Sequence, residues 1–277
     1  MQALQHREQY AQMEATFAQK GFNTAGIEAI RKFYGGLGPD ETPEPLRYVN
    51  LPEKLPVNSV RLLVIPLEEF ETLTLAIGQL TRAVIELLPA GTKVFINPRA
   101  LLHITLFHAS HPSDPRPDPA HPTGGCDIAD PPSARPAPQS DALLKEQQTL
   151  KQIVNSANPP QLAIHGALMA DSGTLLLTWT DGTDNIKQVR EAACEAFPGR
   201  PTRQTGIVHS SLFRLLDPVD LDKATLGKIC QLCKDWSSSW AGKVFVPSLT
   251  WFVYEDTFSI VNGERFVFKF EGGGEKK

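Results

Sequence analysis

The sequence predicts an α+β protein built on antiparallel sheets, and three observations lead to this fold class. Strand-like apolar runs and amphipathic helical segments follow one another without a strict βα alternation, which disfavours a doubly wound parallel sheet. The dipeptide Asn262-Gly263 separates two apolar segments, a pattern typical of a tight β-hairpin. Asp171-Ser172-Gly173 separates two further strand-like segments, at 161–169 and 174–180, and predicts a second hairpin.

The first quarter of the chain predicts helix, linker, strand and helix. Residues 5–34 carry apolar side chains at helical spacing and end at Gly35-Gly36. The Pro-rich stretch 38–56 is a predicted linker. A short apolar run at 59–66 is typical of a buried strand, and 68–88 again shows helical spacing.

The middle of the chain contains two predicted strands, an insertion and a helix. The strands are 93–96 and 101–108. Residues 111–139 are dense in Pro, Gly, Ser and Asp, and contain too few large apolar residues to fold alone. We therefore predict a mobile insertion whose His111 and His121 are solvated. A helix at 142–156 follows.

The last third alternates helices with strands. A helix at 184–197 is predicted to be capped by Asp181 or Thr183, and a helix at 221–240 to begin after Asp220. The strands of this part are 205–216, 243–254, 258–261 and 265–270.

Length and charge restrict the domain organisation and the partners. The chain has 277 residues, enough for one large domain or for two small lobes that share a cleft. We predict an N-terminal helical extension and linker at 1–56, a main domain at 57–272 and a polar tail at 273–277. The formal net charge of -4 gives no general basic field for a long nucleic acid, so a nucleotide or a short RNA end is the expected partner.

The cysteines and the hydropathy pattern suggest an intracellular protein. Four irregularly spaced cysteines do not form the framework of a disulfide-rich secreted domain, and Cys230 and Cys233 lie in a helical pattern as expected for buried thiols. No apolar run approaches the ~20 residues of a membrane span, and the N-terminus lacks the apolar centre of a signal peptide. We expect a cytoplasmic protein, with a nuclear location as the alternative, and no membrane partner; the sequence indicates no protein partner.

Two segments of the chain repeat one pattern. His103-Ile104-Thr105-Leu106-Phe107-His108 and His209-Ser210-Ser211-Leu212-Phe213-Arg214 share the frame His-x-(Thr/Ser)-Leu-Phe-(basic), each within a strand-like apolar run. A single His-x-Thr pattern arises easily by chance. Two copies with the same surroundings predict two related half-sites.

The spacing of these residues predicts acid–base chemistry. Alternate side chains of a strand share a face, so His103 is expected to lie beside Thr105, and His209 beside Ser211. If the two strands line one cleft, two imidazoles and two hydroxyls surround a space that suits one phosphate. Histidine populates both protonation states near neutrality, so one ring can act as a base and the other as an acid. By the same alternation, Phe107 and Phe213 would follow on the histidine face, where they would line the cleft or stack on a base.

Other catalytic constellations are less well supported. The sequence has no H-E-x-x-H motif, no paired C-x-x-C set and no carboxylate next to either histidine, so we expect neither a metal nor a cofactor. His108 lies five residues after His103 and is predicted on the opposite face of its strand, which would prevent the two from chelating one ion.

With its paired motifs, the sequence resembles the two-histidine (2H) phosphoesterase superfamily, and within it the cyclic nucleotide phosphodiesterase or RNA ligase-like branch. The resemblance covers roughly residues 59–270. It implies a bilobal α+β fold with two antiparallel sheets on a pseudo-twofold cleft and outer helices. It further implies His103 and His209 as catalytic residues, with Thr105 and Ser211 binding the phosphate.

The resemblance also implies a reaction type. The expected activity is metal-independent hydrolysis of a phosphodiester at a ribose 2′ or 3′ oxygen, with a 2′,3′-cyclic nucleotide or ADP-ribose cyclic phosphate as substrate. Further substrate-binding candidates are Arg203 and Arg214, which flank the second motif, and Trp251 and Tyr254, near the end of a predicted strand.

Three alternatives stay open from the sequence. An RNA end-processing enzyme, or one that cleaves or joins 2′,5′ linkages, would need a basic track beside the cleft. A nucleotide- or RNA-binding module without catalysis would bind its ligand and leave it intact. An interaction scaffold built on the Pro-rich insertion rests on composition alone.

Overall fold

The fold was analysed in a computed structural model that describes residues 2–272, with side chains from residue 5 onward. The predicted tail at 273–277 lies outside the described residues. The α-helices are α1 (Gln2–Lys20), α2 (Thr24–Arg31), α3 (Glu71–Ile85), α4 (Ser140–Ser156), α5 (Asn185–Ala196) and α6 (Lys223–Trp240).

The strands form two large antiparallel sheets and a small hairpin. They are β1 (Tyr34–Gly35), β2 (Glu44–Pro45), β3 (Arg61–Pro66), β4 (Val94–Ile96), β5 (His103–Ser110), β6 (Leu162–Met169), β7 (Thr174–Asp181), β8 (His209–Leu215), β9 (Val244–Phe245), β10 (Leu249–Glu255) and β11 (Gly263–Lys269). One sheet has the order β11-β10-β3-β5, the other has the order β4-β8-β7-β6-β9, and β1 pairs with β2. The predicted α+β class with two antiparallel sheets is confirmed.

Helices α3 to α6 cover one face of each large sheet. Helices α4 and α5 pack on the four-stranded sheet, whereas α3 and α6 pack on the five-stranded sheet. The largest apolar cluster joins these helices to buried side chains of both sheets, among them Leu63, Phe107, Leu177 and Phe213. Strands β5 and β8 approach each other where the two sheets meet, so the faces of both strands that turn away from these helices can contribute to one site.

Some predicted elements differ from the structure. The predicted strand 243–254 is two strands, β9 in the five-stranded sheet and β10 in the four-stranded sheet. Residues 258–261 form no strand, because Ser259 and Val261 have positive φ angles of 65° and 47°; the segment is instead part of the turn between β10 and β11. Asp222, not Asp220, caps α6, and its carboxylate accepts a hydrogen bond from Thr225 N at 2.7 Å. The predicted cap of α5 by Asp181 is present as a 2.8 Å hydrogen bond from Ile186 N.

The N-terminal segment packs against the main domain. Tyr10 of α1 is 1% exposed and packs on Leu168 and Leu176 of the five-stranded sheet. Its hydroxyl lies within hydrogen-bond distance of the carbonyls of Trp179 (2.9 Å) and Val208 (2.8 Å), either of which can accept its proton. The same oxygen accepts from Val208 N at 3.1 Å. The predicted linker at 38–56 contains β2 and a 3-10 turn at Tyr48–Asn50, and it buries Tyr48 against the domain.

The insertion at 111–139 packs on the domain through polar contacts, and its mobility stays a prediction. It has little regular structure beyond a 3-10 turn at Pro132–Ala134, but buried arginines hold it in place. Asp114 pairs with Arg116 at 2.8 Å and with Arg135 at 2.5 Å. Arg61 is fully buried, pairs with Glu146 of α4 and donates to the Arg116 carbonyl at 2.6 Å. These polar contacts fix the path of a segment whose sequence is poor in apolar residues.

The cysteine pair of α6 lies on the buried side of the helix, as expected for thiols in a core. Burial raises the pKa of the Cys233 thiol to about 12, which keeps it protonated and unreactive. Among the helices of the described residues, none combines the length and the apolarity that crossing a membrane requires.

Candidate active site

A β-bulge in β5 turns a third polar residue toward the histidine face. His103 and Thr105 pair with Pro66 and Val64 of β3 and share a face, as predicted. The register then shifts at Leu106, so that Phe107 pairs with Leu63 and His108 pairs with Leu62. Because Val64 and Leu62 point to the same side of β3, His108 lies on the face of His103 and Thr105.

Strand β8 contains the equivalent bulge. His209 and Ser211 pair with Thr178 and Leu176 of β7, and the register shifts at Leu212. Arg214 consequently pairs with Thr174 and lies on the face of His209 and Ser211. Each motif therefore presents a histidine, a hydroxyl and a basic side chain on one face.

The structure brings the two motif histidines into one electrostatic environment. A charge on His103 lowers the pKa of His209, and Arg214 lowers the pKa of both rings. The largest cause is burial, which lowers each pKa from 6.5 to about 4. His103 is 8% exposed and His209 is half-buried, as expected for groups at the bottom of a cleft.

Backbone carbonyls two residues upstream influence both rings. The Nδ1 atom of His103 donates to the Leu101 carbonyl at 2.8 Å, which leaves Nε2 as the free nitrogen. The Ile207 carbonyl stands in the corresponding position for His209 and raises its pKa, without a well-formed hydrogen bond to Nδ1. The two half-sites therefore match in their backbone surroundings as well as in sequence.

Arg214 polarises the hydroxyl of the second motif. Its Nη2 atom donates to Ser211 Oγ at 3.2 Å and to Ser259 Oγ at 2.5 Å, while Nη1 donates to Thr174 Oγ1 at 3.2 Å. The guanidinium also lies 5.1 Å from the ring centroid of Phe258. Because Ser211 accepts from Arg214, its own O–H can donate to a bound phosphate.

Tyr48 of the N-terminal segment contacts a carboxylate near Arg214, that of Glu255. Glu255 lies near Arg214, accepts a 2.7 Å hydrogen bond from the Tyr48 hydroxyl and is 6% exposed. Burial raises the pKa of Glu255 to about 6. Tyr48 thus connects the predicted linker to the cleft.

Two residues that the sequence analysis missed hold the bulges. Arg190 of α5 donates from Nε to the Leu106 carbonyl at 3.0 Å, and from Nη2 to the carbonyls of Thr105 and Ile207, both at 3.1 Å. Asn97 has the corresponding position at β8. Its side-chain Nδ2 donates to the Ser211 carbonyl at 2.6 Å, and its backbone N donates to the Leu212 carbonyl at 3.0 Å. Arg190 therefore links the two motif strands directly. No sequence pattern identified either residue, although the consecutive apolar pair Leu-Phe in each motif is a sign of a bulge.

We predict that Arg190 positions the two histidines. The substitution R190M should lower kcat by roughly ten- to hundredfold with a smaller change in KM, because small displacements of reacting groups are costly. R190K should retain part of the activity, since lysine cannot make the forked contact. Steady-state kinetics on the best substrate would measure both effects.

The control for this prediction is K187M on the exposed side of the same helix, which should behave as the wild type. A second measurement separates positioning from folding. Since Arg190 lowers the pKa of His209, its removal should move the limb of the pH profile that His209 governs to higher pH. A lower melting temperature with unchanged kcat and pH profile would contradict the positioning role.

Two predictions about histidines near the cleft are wrong: the strand face of His108 and the exposure of His111. His108 was predicted on the opposite face, but the bulge places it with His103, and charges on His103 and His209 lower its pKa. His111 was predicted to be solvated, but its ring centroid lies 5.0 Å from that of His108 and burial lowers its pKa to about 4. His121 is exposed as predicted. Arg203 is exposed and lowers the pKa of both His108 and His111.

The four aromatic candidates do not line the cleft as expected. The prediction that Phe107 and Phe213 share the histidine face is wrong, because the bulges turn both rings into the core, where they are 1% and 0% exposed. Tyr254 points to the helical side, and its hydroxyl approaches the Leu143 carbonyl of α4 at 3.4 Å. Trp251 lies on the histidine face of its sheet, but it is 4% exposed and Arg265 covers its ring at 4.4 Å.

The buried histidines predict a loss of stability in acid. Burial lowers the pKa of His103, His111 and His209 to about 4 and that of His108 to about 3, from 6.5. As the pH falls below 6.5, the unfolded chain therefore binds protons before the folded chain does. The free energy of unfolding should therefore decrease by several kcal/mol between pH 6.5 and pH 4. The raised pKa of Glu255 opposes this decrease over part of the window.

Chemical denaturation at a series of pH values would measure this dependence. H108Q should flatten the profile between pH 6.5 and pH 4, whereas H121Q, at an exposed histidine, should leave it unchanged. A stability that does not vary over this window would contradict the buried, neutral state of these rings.

Comparison with known proteins adds little to this description. No protein-family model matches the chain. No curated protein matches it either. Solved structures with some likeness include TT0787 of Thermus thermophilus (12% identity, 77% of this chain and 98% of that chain, TM-score 0.44), Usb1 of Kluyveromyces marxianus (11%, 77% and 99%, 0.44) and ATU0111, a conserved protein of unknown function from Agrobacterium tumefaciens (13%, 82% and 93%, 0.47). At this level of likeness, nothing about the activity of this chain follows from these structures.

Proposed function

We propose that the chain is a metal-independent phosphodiesterase of the two-histidine type, which hydrolyses a phosphodiester at a ribose 2′ or 3′ oxygen. The observation that carries the proposal is the convergence of two matched half-sites. His103 with Thr105 and His209 with Ser211 lie on the strand faces that turn away from α3 to α6, on two strands that approach each other, and a charge on His103 lowers the pKa of His209. A 2′,3′-cyclic nucleotide or ADP-ribose cyclic phosphate is the proposed substrate.

The protonation states of the rings suit an acid–base pair. Without a ligand both rings are neutral at pH 7, because burial holds each pKa near 4. A bound anionic phosphate favours the charged form of a neighbouring imidazole and so raises its pKa. Since a charge on one ring disfavours a charge on the other, the pair tends to hold a single proton, as one acid and one base require.

The reaction then follows with balanced proton transfers. The neutral histidine removes a proton from water, and the hydroxide forms a new bond to phosphorus. The bond from phosphorus to the ribose oxygen breaks, and the protonated histidine gives its proton to that oxygen. The hydroxyls of Thr105 and Ser211 donate to the nonbridging oxygens, and Arg214 offsets their charge through its contact with Ser211.

A substrate panel in the presence of EDTA tests this proposal. The protein would be incubated with 2′,3′-cyclic nucleotides, ADP-ribose cyclic phosphate and 2′,5′-oligoadenylate, and the products identified. We expect hydrolysis of a cyclic phosphate to a single ribose monophosphate, with a bell-shaped dependence of kcat/KM on pH. Activity that EDTA abolishes and a divalent ion restores would contradict the mechanism.

The same panel distinguishes the alternatives. Cleavage of 2′,5′-oligoadenylate or trimming of an RNA end, with cyclic phosphates left intact, would favour the RNA-processing function. Saturable nucleotide binding without turnover of any compound would favour a binding module.

A further inference from the structure

Beside the motif histidines lies a second group of basic side chains, here called the basic cluster: His108, His111 and Arg203. The rings of His108 and His111 meet edge to face, with centroids 5.0 Å apart. A charge on Arg203 acts on both rings, and charges on His103 and His209 act on His108. The basic cluster therefore adjoins the catalytic pair within one cleft.

Gln204 holds the basic cluster together. Its side-chain Oε1 accepts from His108 N at 3.0 Å, and its Nε2 donates to the His108 carbonyl at 2.9 Å and to the Pro201 carbonyl at 3.0 Å. Strand β5 is an edge strand at this point, so Gln204 takes the place of a neighbouring strand. The backbone of Arg203, one residue earlier in the chain, is thereby held beside the edge of β5, and its charge acts on His108.

Within residues 2–272 the basic cluster has one unpaired arginine and one unpaired ring nitrogen. Among the described residues Arg203 forms no ion pair, and the buried Nδ1 atom of His108 has no hydrogen-bond partner. Asp114 lies near His111 and raises its pKa, but this carboxylate is bound by both Arg116 and Arg135. An anion is the ligand that this arrangement lacks.

The spacing matches that of two phosphates in one substrate. Thr105 and His108 pair with Val64 and Leu62, which are two residues apart on the regular strand β3. Two residues of a strand span about 7 Å. His108 therefore lies about this distance beyond the hydroxyl that would bind the scissile phosphate, a separation comparable with that of neighbouring phosphates in a nucleotide chain.

We infer that the basic cluster is a second anion subsite, which binds another phosphate of the same substrate next to the scissile phosphodiester. The preferred substrate is accordingly a ribonucleotide with a second phosphate, either a free 5′-phosphate or the preceding phosphodiester of an RNA end. The inference rests on the proposed function for the position of the first phosphate. It assigns His108 and Arg203 to substrate selection, not to bond cleavage.

Ligand binding tests the subsite without requiring turnover. Calorimetric titration would compare adenosine 2′-monophosphate with adenosine 2′,5′-bisphosphate on the wild-type protein. We expect the bisphosphate to bind roughly tenfold more tightly, and H108Q or R203Q to remove most of that preference. The matched controls H121Q and R82Q, at exposed residues outside the basic cluster, should retain it.

The outcomes separate the subsite from the proposed function. Equal affinities for the two ligands, or a preference that survives both H108Q and R203Q, would overturn the subsite even if cyclic phosphates are hydrolysed. A preference that depends on His108 and Arg203 in a protein without turnover would support the subsite and reject the phosphodiesterase. Kinetics on adenosine 2′,3′-cyclic phosphate, its 5′-phosphorylated form and a dinucleotide ending in a cyclic phosphate would then show which source of the second phosphate is preferred.

Discussion

Replacement of either motif histidine should nearly abolish phosphodiester hydrolysis. H103A and H209A are each expected to lower kcat/KM by about 10²–10⁴-fold, because each removes one of the two groups that move protons in the reaction. The kcat/KM of the double variant H103A/H209A should be only slightly lower than that of the less active single variant, since the two rings act as a unit. Turnover of the cyclic phosphate with EDTA present is the measurement.

The control for both variants is H121A, because His121 is exposed and is not among the residues of the proposed site. Folding must be checked at pH 7.5, where the rings of His103 and His209 are neutral in the folded protein because burial lowers each pKa to about 4. Removing a desolvated imidazole should leave the melting temperature close to that of the wild type. Full turnover in either single variant would eliminate that histidine from the mechanism.

Truncation of Phe107 or Phe213 should cause the largest loss of stability. Both rings are buried, Phe107 packs on Phe197 with centroids 5.7 Å apart, and Phe213 lies in the main core. F107A and F213A should each lower the free energy of unfolding by about 3–5 kcal/mol, through lost burial and the cavity left behind. Urea denaturation at pH 7.5 would measure this loss.

Two leucine variants and one variant at an exposed residue serve as controls for this test. F107L and F213L should cost less than the alanine variants and keep kcat and KM close to the wild type. V267A, at a residue that is 55% exposed, should change stability by less than about 0.5 kcal/mol. Unchanged stability together with a raised KM in F213L would restore the stacking role that the sequence suggested.

The proposed second subsite would allow a protein with a net charge of -4 to bind a ligand with two phosphates. Arg203 supplies the positive charge at one end of the cleft, where the neutral rings of His108 and His111 adjoin the motif histidines. The field of Arg203 acts at short range, where the net charge of the whole chain has little influence. This arrangement favours a small ligand with two phosphates over a long polyanion.

Local patterns were sufficient to predict the secondary elements. The helices at 71–85 and 223–240 and the hairpin of β6 and β7 lie within about three residues of their predicted bounds. Apolar periodicity and turn residues are properties of a few neighbouring positions, so they can be evaluated without the rest of the chain. Two predicted strands were wrong. The segment 258–261 contains positive φ angles that the residue types Ser and Val do not predict, and 243–254 divides between the two sheets.

The amino-acid sequence by itself determined the class of the fold and the two repeats His-x-Thr and His-x-Ser, because a strand places alternate residues on one face regardless of its neighbours. Tertiary structure decided which residues accompany them. Bulges at Leu106 and Leu212 reverse the alternation, so that His108 and Arg214 enter the cleft while Phe107 and Phe213 enter the core. Each bulge leaves carbonyl groups without a place in the strand ladder, and these are bound by Arg190 and Asn97, which are far away in the sequence. Only the folded chain brings such partners together, since buried carbonyls must find donors wherever the packing provides them.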